Sequence, residues 1–305
     1  MGGFVFKESN VKSIKRENIK PTLDKFIESF VSLFPSSANW FEPLTTLGSV
    51  GKKDISGDID LGINESYLDN IRYYDLNNDE INDLFIKFKK RARTATDSQL
   101  MKRAIIVSIA NHINNESNII HADDKGSGSG ALYCEFPQYD INGNKLGYNV
   151  QIDLNFGNID WLKFAYYSDS YTDNVKGLHR TQLMLHMFSY KGYVFSHNYG
   201  VKNKETQIIE SNTPEQAIEL LNKLYGFKIN EQTLQNYHKL QEFLKKHLSE
   251  KDLYGIYDIY LKTLDSTRCD IPEDLQQYWI ENQERLGLKG KFLPDSSKLY
   301  SLRNV

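Results

Sequence analysis

Apolar side chains recur at Leu23, Phe26, Ile27, Phe30, Val31 and Phe34, in steps of three and four. That spacing lines one face of a helix and predicts one over residues 21–35, with Pro21 at its start and Pro35 at its end. Ile81, Leu84, Phe85 and Phe88 predict a second helix over 76–94, with a basic end from Lys87 to Arg93. Leu100, Ala104, Ile105, Ser108 and Ile109 predict a third over 98–114. Elsewhere the period changes to two. Thr45 to Ser49 reads as a short strand, 50–57 as a turn, and Asp58 to Ile63 as a strand. Residues 131–139 and 146–156 read as two strands joined at Asn142-Gly143, a good hairpin signal. Residues 1–20 read as a loosely attached lead-in, His121 to Asp124 as a loop, and the glycine-serine run 126–130 as a flexible loop.

From about residue 165 the pattern turns helical. Leu183, Met184, Met187 and Phe188 form the inner face of a helix over 178–190, and a small hairpin fits within 192–211. Thr213 as N-cap and Pro214 at the first position open a helix near 215–225. Further helices follow at 231–248, 250–265 and 272–286, then a polar tail. The expected class is α+β: a small mixed or antiparallel sheet flanked by helices in residues 1–165, then a mostly helical domain in 166–305.

The predicted strand at 58–63 places Asp58 and Asp60 two residues apart, hence on one face. Two carboxylates side by side repel unless a cation neutralises them. The later strand alternates Gln151, Asp153 and Asn155 with Val150, Ile152, Leu154 and Phe156, so its polar face centres on a third carboxylate. If both strands share a sheet, Asp58, Asp60 and Asp153 converge as oxygen ligands, the donor set that suits Mg²⁺ with substrate phosphates. Two such ions about 4 Å apart activate a hydroxyl and stabilise a leaving pyrophosphate. Gly48-Ser49 lies just upstream, where glycine lets a backbone approach phosphates closely, and Lys52 and Lys53 add positive charge.

The totals narrow the setting. A net charge of −3 gives no whole-chain case for nucleic acid or membrane, so a basic patch must be local. Two distant cysteines, Cys134 and Cys269, exclude a disulfide framework and a zinc site. No apolar run approaches the roughly 20 residues that span a bilayer. The expectation is a cytoplasmic protein without membrane association.

Gly48-Ser49, eight intervening residues, and then Asp58-Ile-Asp60 with apolar flanks resembles the signature of the DNA polymerase beta-like nucleotidyltransferase superfamily. Asp153, within Gln-Ile-Asp-Leu, resembles its third acid. The resemblance covers roughly residues 40–160. It implies a palm-like sheet, two Mg²⁺ ions (with Mn²⁺ as the alternative), a nucleoside triphosphate such as ATP, and metal binding and catalysis by Asp58, Asp60 and Asp153. Gly48, Ser49, Lys52 and Ser56 would contact the nucleotide. Basic groups of a second domain often hold the triphosphate in this superfamily, which makes Lys176, His179 and Arg180 candidates, with Tyr190 and Lys191 beyond them.

The expected reaction moves a nucleoside monophosphate from the triphosphate to an acceptor hydroxyl, with an RNA or tRNA 3′ end as first choice of acceptor. The segment Lys87–Arg93 suits a phosphate backbone, although a basic helix end is also favoured by the helix dipole. Alternatives are a protein- or small-molecule-modifying transferase, a cyclic-oligonucleotide synthase, and a non-catalytic nucleotide-binding module. His186 reads as a packed core residue rather than a ligand.

Overall fold

A computed structural model describes residues 5–6, 9–93, 95–125, 127, 130–168, 177–267 and 269–288. Lys176, most of the glycine-serine run and the tail after 288 lie outside the described residues. In chain order the first elements are β1 (Ile14–Lys15), α1 (Arg16–Leu33), β2 (Ile55–Ser56), β3 (Ile59–Asn64), α2 (Leu68–Tyr74), α3 (Asn78–Lys89) and α4 (Asp97–Glu116). β4 (His121–Ala122), β5 (Ala131–Tyr139), β6 (Lys145–Gly157) and α5 (Ile159–Ala165) follow. The later elements are α6 (Gly177–Tyr190), β7 (Tyr193–Ser196), β8 (Gly200–Asn203), β9 (Ile209–Ser211), α7 (Pro214–Tyr225), α8 (Glu231–Leu234), α9 (Tyr237–His247), α10 (Glu250–Thr267) and α11 (Glu273–Leu286).

The protein is mixed α+β, with a mixed sheet flanked by helices. The chain divides into two units. The first is Met1–Thr172 with Ser196–Gly200 and Ser211–Pro214, and the second holds the remaining residues.

The sheet of the first unit has the order β3-β6-β5-β4. β5 and β6 form the hairpin that Asn142-Gly143 predicts. Gly143 takes φ +79°, a conformation natural to glycine, while Asp140 accepts from the Asn142 and Asn144 amides. β3 joins β6 in parallel, with Ile59 beside Ile152, Asp60 beside Asp153 and Leu61 beside Leu154. Alternation then sorts the faces. Ile59, Leu61, Ile63, Ile152, Leu154 and Phe156 are buried in the core with α1 and α4. Phe26 of α1 meets Phe136 of β5 edge-on at 5.4 Å, and Trp40 meets Phe156 at 5.5 Å. The opposite face of β3 and β6 is left to the polar residues.

Several expectations shift. Residues 9–20 are not a loose lead-in. Ile14 is fully buried, β1 pairs antiparallel with β2, and α1 begins at Arg16. Pro21 therefore sits inside α1, where its missing N–H leaves the Glu17 carbonyl without its helical partner. Thr45–Ser49 is no strand but carries two isolated bridges, Thr46 with Leu61 and Gly48 with Tyr167, the first supported by Leu47 N–H donating to Asp60 O. His121-Ala122 is no loop, since it pairs with Cys134 and Glu135 on the sheet edge.

α3 stops at Lys89, so Lys90 to Arg93 leave the helix. α4 starts with a capping box between Thr96 and Gln99. The span 231–248 breaks into α8 and α9, because Asn236 takes an extended conformation and caps α9 through Lys239 N–H. β7, β8 and β9 make a three-stranded sheet where a hairpin is expected. Among the described residues, no helix is long and apolar enough to cross a membrane.

Candidate metal centre

Asp60 and Asp153 are register partners on adjacent parallel strands, so their side chains leave the sheet together. Asp58 precedes β3 by one residue and lies on the same face as Asp60. One oxygen from each of Asp58, Asp60 and Asp153 lies within 4.8 Å of the others. Asp153 is buried, and the other two are half-buried.

Withdrawal from water pushes the Asp60 carboxyl up to about 7, with the Asp58 charge as the next cause. Burial, followed by Asp60 and Asp58, raises the Asp153 carboxyl well above the usual range. The fold thus gathers acids that neutral water disfavours as three anions. A hard divalent cation fits this set: all donors are carboxylate oxygens, and their mutual repulsion is what such an ion relieves.

The flanking polar residues hold the acids in place. Gln151 Nε2 donates to both Asp153 oxygens, at 2.9 and 3.0 Å. Asn155 Nδ2 donates to Asp60 Oδ1 at 3.4 Å, and the Tyr166 hydroxyl donates to Asn155 Oδ1 at 2.9 Å. Asn198 Nδ2 donates to Gly130 O, and Gly130 has φ +107°. A Cβ at Gly130 would meet Asn198 Nδ2 at 2.2 Å, so glycine is required for this packing. Strand alternation placed Gln151 and Asn155 beside Asp153. Tyr166 and Asn198 come from distant segments that no local pattern connects.

The Gly48-Ser49 turn stands beside the acids. Gly48 takes φ +60°, and a Cβ there would lie 3.4 Å from Asp60 Oδ2. A bare glycine lets the turn sit this close to a carboxylate. Gly48 bridges Tyr167 in parallel fashion. Lys52 Nζ donates to Ser168 O at 2.8 Å, with the ammonium 5.1 Å from the centre of the Tyr167 ring. Arg16 donates to the Lys52 and Lys53 carbonyls at 3.2 Å and pairs with Asp54 at 3.0 Å, pinning the loop between turn and strand. Nothing in the local pattern marks Arg16 for that role. Ser56 is buried in β2, and its hydroxyl has no partner among the described residues.

The remaining candidates belong to the second unit. Arg180 is buried and donates to Leu234 O and Thr181 Oγ1. His179 is buried with Nδ1 2.8 Å from the Tyr260 hydroxyl. Tyr190 lies against Gly255 of α10, where a Cβ would stand 2.2 Å from its ring. Lys191 pairs with Asp252 at 3.0 Å and stands over the Tyr190 and Tyr225 rings. His186 is packed between Gln182 O and Thr263 Oγ1, and among the described residues it joins no group that could hold a metal ion.

No protein-family model matches the chain, and no curated protein matches it.

Proposed function

We propose that the protein is a divalent-metal-dependent nucleotidyltransferase. The reading rests on one observation: three carboxylates from two adjacent strands bring oxygens within 4.8 Å of one another. Support comes from the Gly48-Ser49 turn beside Asp60 and from the resemblance of this pattern to the DNA polymerase beta-like superfamily, whose palm-like sheet β3-β6-β5 would represent. Asp58 and Asp60 would hold the ions. Asp153 would complete the set and act as, or orient, the base for the acceptor hydroxyl. Gly48 and Ser49 turn their backbone toward the β- and γ-phosphates, and Lys52 adds charge to that loop.

When bound, Mg²⁺ or Mn²⁺ supplies charge neutralisation for the attacking and leaving oxygens. The acceptor oxygen bonds to the α-phosphorus, the bond from that phosphorus to the bridging oxygen breaks, and pyrophosphate leaves. An RNA 3′ end is the proposed acceptor.

The test incubates each α-labelled nucleoside triphosphate with Mg²⁺, total RNA and the protein. Label is expected in RNA with release of pyrophosphate, and in neither product for Asp58→Asn or Asp60→Asn. Robust transfer by these variants overturns the assignment.

A further inference from the structure

Between Ile86 and Arg103 the chain carries seven cations, Lys87, Lys89, Lys90, Arg91, Arg93, Lys102 and Arg103, against one acid, Asp97. Two of the seven are neutralised. Lys89 pairs with Asp97 at 2.7 Å, and buried Lys102 pairs with Glu65 at 2.7 Å. Lys87, Lys90, Arg91, Arg93 and Arg103 are exposed and have no acidic partner among the described residues.

The fold brings Arg103 of α4 to the end of α3, next in the chain to the other four. Arg103 lies over the Phe88 ring at 4.4 Å, which joins the start of α4 to the end of α3, and Lys90 to Arg93 occupy the connection between them. The helix dipole accounts for Lys87 and Lys90 near the end of α3, but not for Arg91 and Arg93 beyond it or for Arg103 in the second turn of α4. In a chain of net charge −3, this is a local concentration of uncompensated positive charge.

The same surface is anchored to the carboxylate strand. Lys102 Nζ donates to Phe156 O at 2.6 Å. Phe156 is three residues beyond Asp153 on β6, roughly 10 Å along the strand.

We propose that Lys87, Lys90, Arg91, Arg93 and Arg103 form a docking track for the phosphate backbone of a single-stranded nucleic acid. Naming that strand as the acceptor rests on the nucleotidyl-transfer reading, whereas its binding does not. A linear polyanion matches cations spaced along a loop and two helix ends. A membrane surface fits less well, because Ile86 is the one large exposed apolar side chain in the segment.

The test is fluorescence anisotropy with labelled single strands of about 20 nucleotides, one RNA and one DNA of equal sequence. Salt is varied between about 50 and 200 mM. The wild type is compared with the triple variant Lys90→Gln/Arg91→Gln/Arg93→Gln, with Lys87→Gln/Arg103→Gln, and with Asp60→Asn. The triple variant is expected to bind roughly tenfold more weakly or worse, with a salt slope shallower by about 2. The double variant weakens binding in the same direction. The tighter of the two strands identifies the source of the backbone.

Asp60→Asn is expected to bind as wild type while losing transfer. Absence of transfer in every protein, with the triple variant still defective in binding, overturns the catalytic reading alone. Unchanged strand affinity in both glutamine variants overturns the track.

Discussion

Buried polar groups serve different ends in the two units. In the second unit, Arg180, His179 and His186 each meet complementary partners: Leu234 O, the Tyr260 hydroxyl, and Gln182 O with Thr263 Oγ1. That is how burial of polar side chains normally becomes tolerable. In the first unit, Asp58, Asp60 and Asp153 meet one another, and the amides of Gln151 and Asn155 restrain Asp153 and Asp60 without supplying a cation. The first pattern gives each of these side chains a hydrogen-bond partner within the fold. The second gathers like charges at one place, an arrangement that a metal ion could occupy.

This contrast breaks if substitutions in the two places have the same consequences. The largest effect is expected at the acids. Asp58→Asn and Asp60→Asn should lower transfer at least about a thousandfold, measured by label incorporation, because the ions and the developing charge lose their holders. The melting temperature of the metal-free protein should hold or rise, since repulsion is removed. Arg180→Met should do the reverse. It deletes a buried cation and leaves Leu234 O without this donor, costing about 3 kcal/mol in denaturant unfolding.

A pH series sharpens the same point. Asp60 titrates near 7 in the folded chain and near 4 when unfolded. Between those values the folded state binds the extra proton. Its contribution to stability is therefore fully present below about 4 and is lost as pH rises to about 7. Metal-free protein should melt progressively lower from pH 5 to pH 8, and added Mn²⁺ should raise the melting temperature more at pH 8 than at pH 5. The smallest effect belongs to Tyr166→Phe, which removes the donor to Asn155 Oδ1. It should cost about 1 kcal/mol and weaken Mn²⁺ binding a few-fold without abolishing transfer.

The parts legible in the sequence were those written in local periodicity. Alternation along 150–156 showed which face Asp153 shares with Gln151 and Asn155, and Asn142-Gly143 located the hairpin. The parallel pairing that sets Asp60 beside Asp153 spans 93 positions of sequence and left no local mark. Arg16, Tyr166 and Asn198 act through tertiary contacts made by segments whose own composition is unremarkable. Arg180, grouped by the resemblance with Lys176 and His179 as a candidate triphosphate contact, is buried on α6, which packs with α9 and α10.

The most direct test of the metal centre is a calorimetric titration of Mn²⁺ into the wild type and into Asp60→Asn at pH 7.5, with the folding of both checked by circular dichroism. Binding to the wild type, with proton release from the acids and loss of the signal in the variant, is the predicted result. Equal binding by the two proteins, or none by either, contradicts the account.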